Sequence, residues 1–119
     1  MKEHKKNSNV FWIYILECDN GNYYTGYTKD LTKRYEQHLA GKANSKYTRS
    51  FKPIRIAQCW QLLDTVGTAL KIERFIKKQS RVTKELLIQF PANLETKLSR
   101  KFSLDFDLKP FDYSNKKPD

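Results

Sequence analysis

The chain has no long apolar run: no hydrophobic stretch approaches the roughly 18 to 20 residues that cross a membrane as a helix. Its basic start, Met1-Lys2-Glu3-His4-Lys5-Lys6, leads into neither an apolar h-region nor a small-residue cleavage site, so no secretion signal is read there. Cysteine is scarce. Only Cys18 and Cys59 occur, both in apolar strand-like runs. Two thiols do not make a structural zinc site, and in that setting they read as reduced core thiols rather than a disulfide. No glycine-rich phosphate loop is present, which argues against ATP use. No Ser-His-Asp pattern stands out and neither cysteine has an evident activating base, which argues against proteolysis. A cytoplasmic address is the expectation these absences leave.

Positive charge is abundant. The 119 residues carry 23 Lys and Arg against 13 Asp and Glu, a formal net charge of +10. That excess points to a polyanionic partner, nucleic acid first and an anionic membrane surface second. Hydrophobic content of 39% and aromatic content of 13% supply one modest core, hence one domain with a tail.

Residues 11–18 and 23–28 are β-rich runs flanking Asp19-Asn20-Gly21-Asn22, a strong hairpin signal. Asp30 stands at a helix N-cap position before Leu31. The helix over 31–40 places Leu31, Tyr35 and Leu39 on one stripe and stops at Gly41. Residues 42–53 form a basic, polar connection with Lys42, Lys46, Tyr47, Arg49, Phe51 and Lys52. It is too long for a plain turn and reads as a binding loop. A third strand covers 54–63, a second helix 66–79, and a third helix starts at Ser80 or Thr83 and ends near Phe90-Pro91. Residues 93–98 have weak helical character, and 105–119 read as extended or disordered. The division is a flexible basic leader over 1–9, a domain over 10–90, and a C-terminal extension over 91–119. The order β-β-α-β-α-α fits an α+β domain, a three-stranded antiparallel sheet flanked by helices.

Three features carry chemistry. On the second helix, Val66, Ala69, Leu70, Ile72, Phe75 and Ile76 share an apolar face, with Lys71, Arg74 and Lys78 opposite. Glu73 falls inside that apolar arc, where a carboxylate must be desolvated, paired with a neighbour such as Lys77, or bound to a metal. On the first helix, Arg34 and His38 are four residues apart and face the same way, flanking the apolar stripe and pointing toward the sheet edge. Guanidinium neutralises charge growing on a phosphate, and imidazole relays a proton. The hairpin adds Tyr14, Tyr23, Tyr24 and Tyr27. Tyrosine hydroxyls, an arginine, a histidine, one inward carboxylate and a basic surface suit metal-assisted phosphodiester cleavage. One carboxylate holds one hard cation whose waters complete the shell, as Mg²⁺ (or Mn²⁺) prefers.

Over residues 10–90 the chain resembles the GIY-YIG nuclease domain, especially its small stand-alone bacterial UPF0213 branch. Ile13-Tyr14 stands for the first motif, with Trp12 in its glycine position, and Tyr24-Thr25-Gly26 stands for the second. Arg34 and His38 match the family arginine and a histidine common in this branch. Glu73 matches the metal-binding glutamate, and Ile76-Lys77-Lys78-Gln79-Ser80-Arg81 looks like the branch's closing signature. The resemblance implies DNA phosphodiester hydrolysis with one divalent cation held by Glu73 and structure-selective action in DNA repair or recombination. It implies that Arg34 stabilises the phosphate and that Tyr14, Tyr24 or His38 activates the water. Lys42, Lys46, Tyr47, Arg49, Lys77 and Lys78 are the expected nucleic-acid contacts. The alternative is a nucleic-acid-binding module without cleavage, in which Tyr47 and Phe51 stack on unpaired bases.

Hairpin register decides whether the site assembles. A two-residue Asn20-Gly21 turn puts Tyr14 and Tyr24 on opposite faces. A three-residue loop, Asn20-Gly21-Asn22, pairs Asp19 with Tyr23 and puts them on one face. The expectation is one cleft holding Tyr14, Tyr24, Arg34, His38 and Glu73.

Overall fold

The structure is a computed structural model that describes residues 8–43 and 45–113. Most of the expected leader (1–7) and the last residues of the expected tail (114–119) lie outside the described residues, as does Asn44.

The central strand, β1 (Asn9–Cys18), is buried on both sides from Phe11 through Leu16. Phe11, Ile13 and Ile15 point to one face, and Trp12, Tyr14 and Leu16 to the other. This is the alternation of a pleated strand. β2 (Tyr23–Thr28) pairs antiparallel with it, with Tyr14 opposite Gly26 and Leu16 opposite Tyr24. The hairpin closes one residue earlier than expected. The Cys18 N–H donates to Asn22 O, and the Gly21 N–H donates to Cys18 O. The three-residue loop is therefore Asp19-Asn20-Gly21, with Gly21 at φ +82°. This is a type I turn completed by a left-handed residue, where glycine avoids the Cβ clash. Because the loop keeps an odd length, Tyr14 and Tyr24 share a face.

β3 (Pro53–Asp64) lies antiparallel along the other side of β1. Ile15 faces Gln58 and Leu16 faces Ile56, leaving Ala57 as an extra residue in a β-bulge. Among the described residues the sheet has four strands in the order β2-β1-β3-β4 rather than the expected three. The added strand, β4 (Leu108–Phe111), lies in the segment read as extended or disordered. It pairs with residues 59–62 of β3. Four residues with a proline carry almost no strand signal, and an edge is where a sheet accepts proline.

Each of the first four helices begins with a side-chain cap. Asp30 accepts from Lys33 N–H at α1 (Leu31–Leu39), and Ser45 from Thr48 N–H at α2 (Lys46–Ser50). Thr65 accepts from Thr68 N–H at α3 (Val66–Lys77), and Ser80 from Thr83 N–H at α4 (Arg81–Gln89). α2 falls inside the stretch read as a loop, and α5 (Asn93–Phe102) extends the weak helical signal there. Three expected stripe residues are not in the core: Leu39 is 37% exposed, Val66 is 55% exposed, and Leu70 is half-buried outside it. On α1, His38 takes the inner position. It lies seven residues from Leu31, which is two turns to within about 20°.

The sheet faces differ in thickness. One packs Phe11, Ile13, Ile15, Trp60 and Leu62 against α3, α4 and α5. Leu94, Leu98, Phe106 and Leu108 belong to this same core, so residues beyond 90 are part of the packed body. The other face holds Trp12, Tyr14, Leu16 and Cys59 under Leu31 of α1. Cys18 and Cys59 are free and buried, and burial pushes the Cys59 thiol up to about 12. Among the described residues, no helix is long and apolar enough to cross a membrane.

Candidate active site

Tyr14 is the hub. Its ring lies across β2 over Gly26, and a Cβ built there would come within 2.6 Å of Tyr14 Cζ and collide with its oxygen. Glycine in this strand makes room for the phenol. That oxygen lies 3.0 Å from His38 Nε2 in a buried contact. His38 Nδ1 in turn lies 2.8 Å from Thr48 Oγ1. A line of three side chains thus runs from β1 through α1 to α2. Tyr24 packs its ring edge-on to His38, with centroids 5.2 Å apart, and stacks on Tyr47 at 6.4 Å.

The electrostatics keep the hub neutral. Burial lowers the His38 imidazole to about 4, with the Arg34 charge as a second cause. Burial also raises the Tyr14 phenol to about 12. Arg34 pulls the other way, while Tyr24 and Glu73 add to the rise. At neutral pH the pair is phenol and imidazole. The Arg34 charge beside the phenol favours the tautomer in which Tyr14 O–H donates to Nε2 and Nδ1–H donates to Thr48 Oγ1.

Glu73 reaches this group from α3. Its side chain is 12% exposed, and one carboxylate oxygen lies 3.0 Å from Lys77 Nζ. The Lys77 ammonium also stands 5.8 Å from the centre of the Tyr24 ring. Arg34 is half-buried and donates to Gln37 Oε1 at 3.3 Å. Among the described residues, no three His, Cys, Asp or Glu side chains form a metal cluster. The donor set is one partly shielded carboxylate that already holds a cation. This fits a hard ion that keeps most of its own waters and takes a single carboxylate, as Mg²⁺ does, and does not fit a closed zinc cage.

The expected site residues therefore separate into groups. Tyr14, Tyr24, Arg34, His38 and Glu73 converge, with Lys77 paired to the carboxylate. Lys46 and Arg49 are exposed on α2, and Lys42 is exposed just before it. Tyr47 is no free platform: it is half-buried against Tyr24 and Phe51, and its hydroxyl accepts from Asn20 Nδ2 at 2.9 Å. Lys78 faces away, into a groove between α3 and α5. Two contributors escaped the reading of the sequence. Thr48 sat in an apparent loop, although Ser45 three residues earlier is a helix cap. Gly26 stands out in the sequence only as part of the second motif, although glycine inside a strand marks a close approach.

Residues 10–85 match the family described as the GIY-YIG catalytic domain. The chain belongs to this family, a nuclease superfamily. Its relatives place it among the small UPF0213 proteins. The UPF0213 protein of Syntrophus aciditrophicus is 40% identical over 78 residues, which are 66% of this chain and 88% of that protein. One from Fusobacterium nucleatum is 41% identical over 82 residues, 69% of this chain and 80% of its own. The solution NMR structure of the UPF0213 protein BH0048 from Bacillus halodurans is 38% identical, with TM-score 0.45, covering 76% of this chain and 98% of that one.

Proposed function

We propose that the protein is a metal-dependent DNA endonuclease that hydrolyses phosphodiester bonds and acts structure-selectively in repair or recombination. The observation that carries this reading is the buried Tyr14–His38 contact at 3.0 Å, with Arg34 and Glu73 beside it. In this reading Tyr14, rather than Tyr24 or His38, takes a proton from the attacking water. As its oxygen accepts that proton, its own passes to Nε2 of His38, which Thr48 holds in the receiving tautomer; because burial holds the imidazole to about 4, the proton is returned through Tyr14 to the departing alkoxide. A free tyrosinate is never needed, which matters for a phenol held at about 12. Arg34 balances charge that builds on the phosphate. Glu73 holds the divalent cation, Mg²⁺ or Mn²⁺, which when bound supplies Lewis-acid polarisation of the scissile group. Lys77 must move off Glu73 to admit it. Lys42, Lys46 and Arg49 meet the backbone of the DNA.

The test uses branched, nicked and plain DNA with Mg²⁺ or Mn²⁺, and then with EDTA. Cutting that needs the metal and is lost in a folded Glu73→Gln variant supports the reading. Tight, salt-sensitive binding with no cutting under any metal would replace it with a binding module.

A further inference from the structure

α3 has a second flank, opposite the cleft. Between it and α5 lies a cavity of about 420 Å³ lined by nine residues. Four of them, Lys71, Arg74, Lys78 and Lys101, are cations, and none is acidic. Among the described residues none of the four has a carboxylate at ion-pair distance. Lys71 Nζ stands 5.0 Å and Lys101 Nζ 5.8 Å from the centre of the Phe102 ring, so two ammonium groups gather on one ring. Phe75 meets Phe102 edge-on, with centroids 6.5 Å apart, and Leu70 adds to the apolar lining.

One wall of this groove lies outside the matched domain and the rest within it. The match ends at residue 85, whereas Lys101 and Phe102 come from α5. The segment after residue 90 contributes core residues and also one wall of a basic, aromatic slot.

We infer that this groove binds an unpaired strand of nucleic acid, the single-stranded arm of the substrate cut in the cleft. The inference rests on the nuclease reading for its biological setting, though not for its binding chemistry. Lys71, Arg74 and Lys78 recur at intervals of three and four, one helical stripe about 10 Å long. A strand's successive phosphates meet such a row, and every base has a π-face for an aromatic slot. A groove of about 420 Å³ has room for a base. A base stacked inside a duplex cannot enter, so the arm must be unpaired. Lys77, which faces the cleft, is adjacent in sequence to Lys78, which faces the groove. One strand can therefore pass around the C-terminal end of α3 over continuous positive charge.

The experiment is fluorescence anisotropy on the full chain in EDTA, with a labelled oligothymidylate and a blunt duplex as separate probes. The variant is Lys71→Gln with Lys101→Gln, two exposed positions, checked for folding by circular dichroism. The oligothymidylate should bind about tenfold more weakly, with a salt slope shallower by about 1.4. The blunt duplex should change less than about twofold. Unchanged oligothymidylate affinity and slope would overturn the inference. So would an equal loss on both probes, or displacement of the oligothymidylate by polyglutamate at matched charge, which would assign the groove to an acidic peptide. Because no cleavage is measured, the two readings fail separately. DNA cutting with an indifferent groove variant sinks only the inference. Groove binding in a protein that cuts nothing sinks only the nuclease.

Discussion

Gly26 and His38 are the residues whose surroundings decide the most. A side chain at Gly26 cannot coexist with the Tyr14 ring where it lies. Gly26→Ala should therefore cost about 1–3 kcal/mol as an overpacking change. Urea unfolding should show the loss, and NMR should show the displaced Tyr14 ring. Tyr14→Phe, which keeps the ring in place, should also cost about 1–3 kcal/mol, through the unmatched His38 Nε2 and without displacing the ring. His38 sets a pH dependence. Its folded value of about 4 lies below the ordinary 6.5, so the unfolded chain binds the extra proton first. Stability from this group is whole above about pH 6.5 and falls as the pH drops toward 4, by roughly 3 kcal/mol in all. His38→Gln should flatten that part of the profile, read by denaturant unfolding between pH 4 and pH 7. At this scale the sequence was legible where residue type and spacing spoke together. Arg34 and His38 were found from their four-residue interval, but His38 was placed beside the inner stripe rather than on it. Residue 38 stacks over Leu31, and a polar side chain there looks solvent-facing until a partner such as Tyr14 is known.

At the scale of elements, α2 is the informative case. Its five residues are too few to show periodicity, and Lys46, Arg49 and Ser50 gave the stretch a loop's composition. Only the Ser45 cap hinted at it. Yet α2 delivers Thr48 to His38 Nδ1 and Tyr47 to Tyr24. Thr48→Val keeps the volume and removes the acceptor. It should cost about 1–3 kcal/mol, because the buried ring nitrogen is left unmatched. Nitrogen chemical shifts of His38 should move away from the single Nδ1–H tautomer. The long, strongly patterned elements, β1, β3 and α3, were legible nearly to their ends. The hairpin was legible as a hairpin but not in loop length or register, because two- and three-residue loops can both be drawn on residues 19–22. Hydrogen bonds at Cys18 decide between them.

The whole molecule divides labour between the faces of its sheet. The thick face, with α3, α4 and α5, holds the fold; the thin face, under α1, holds the tyrosine–histidine pair. Sequence patterning could not show that residues beyond 90 join the thick face, since their apolar positions are widely spaced and find partners only in three dimensions. Leu98 is fully buried in that core. Leu98→Ala should therefore cost about 2–5 kcal/mol, the range for opening a cavity. A thermal melt should show it, with the Tyr14–His38 contact intact in the fraction that stays folded.

The bulge at Ala57, one of two register shifts between β1 and β3, bears on how this chain tolerates changes of length. Ala57 is one residue more than the pairing with β1 requires. Its excision would leave Ile56 opposite Leu16 and Gln58 opposite Ile15, and every other side chain of the strand on the side it now occupies. In most strands the loss of one residue turns the remainder inside out. Here a single deletion alters the curvature of the sheet and leaves its assignment of inside and outside intact.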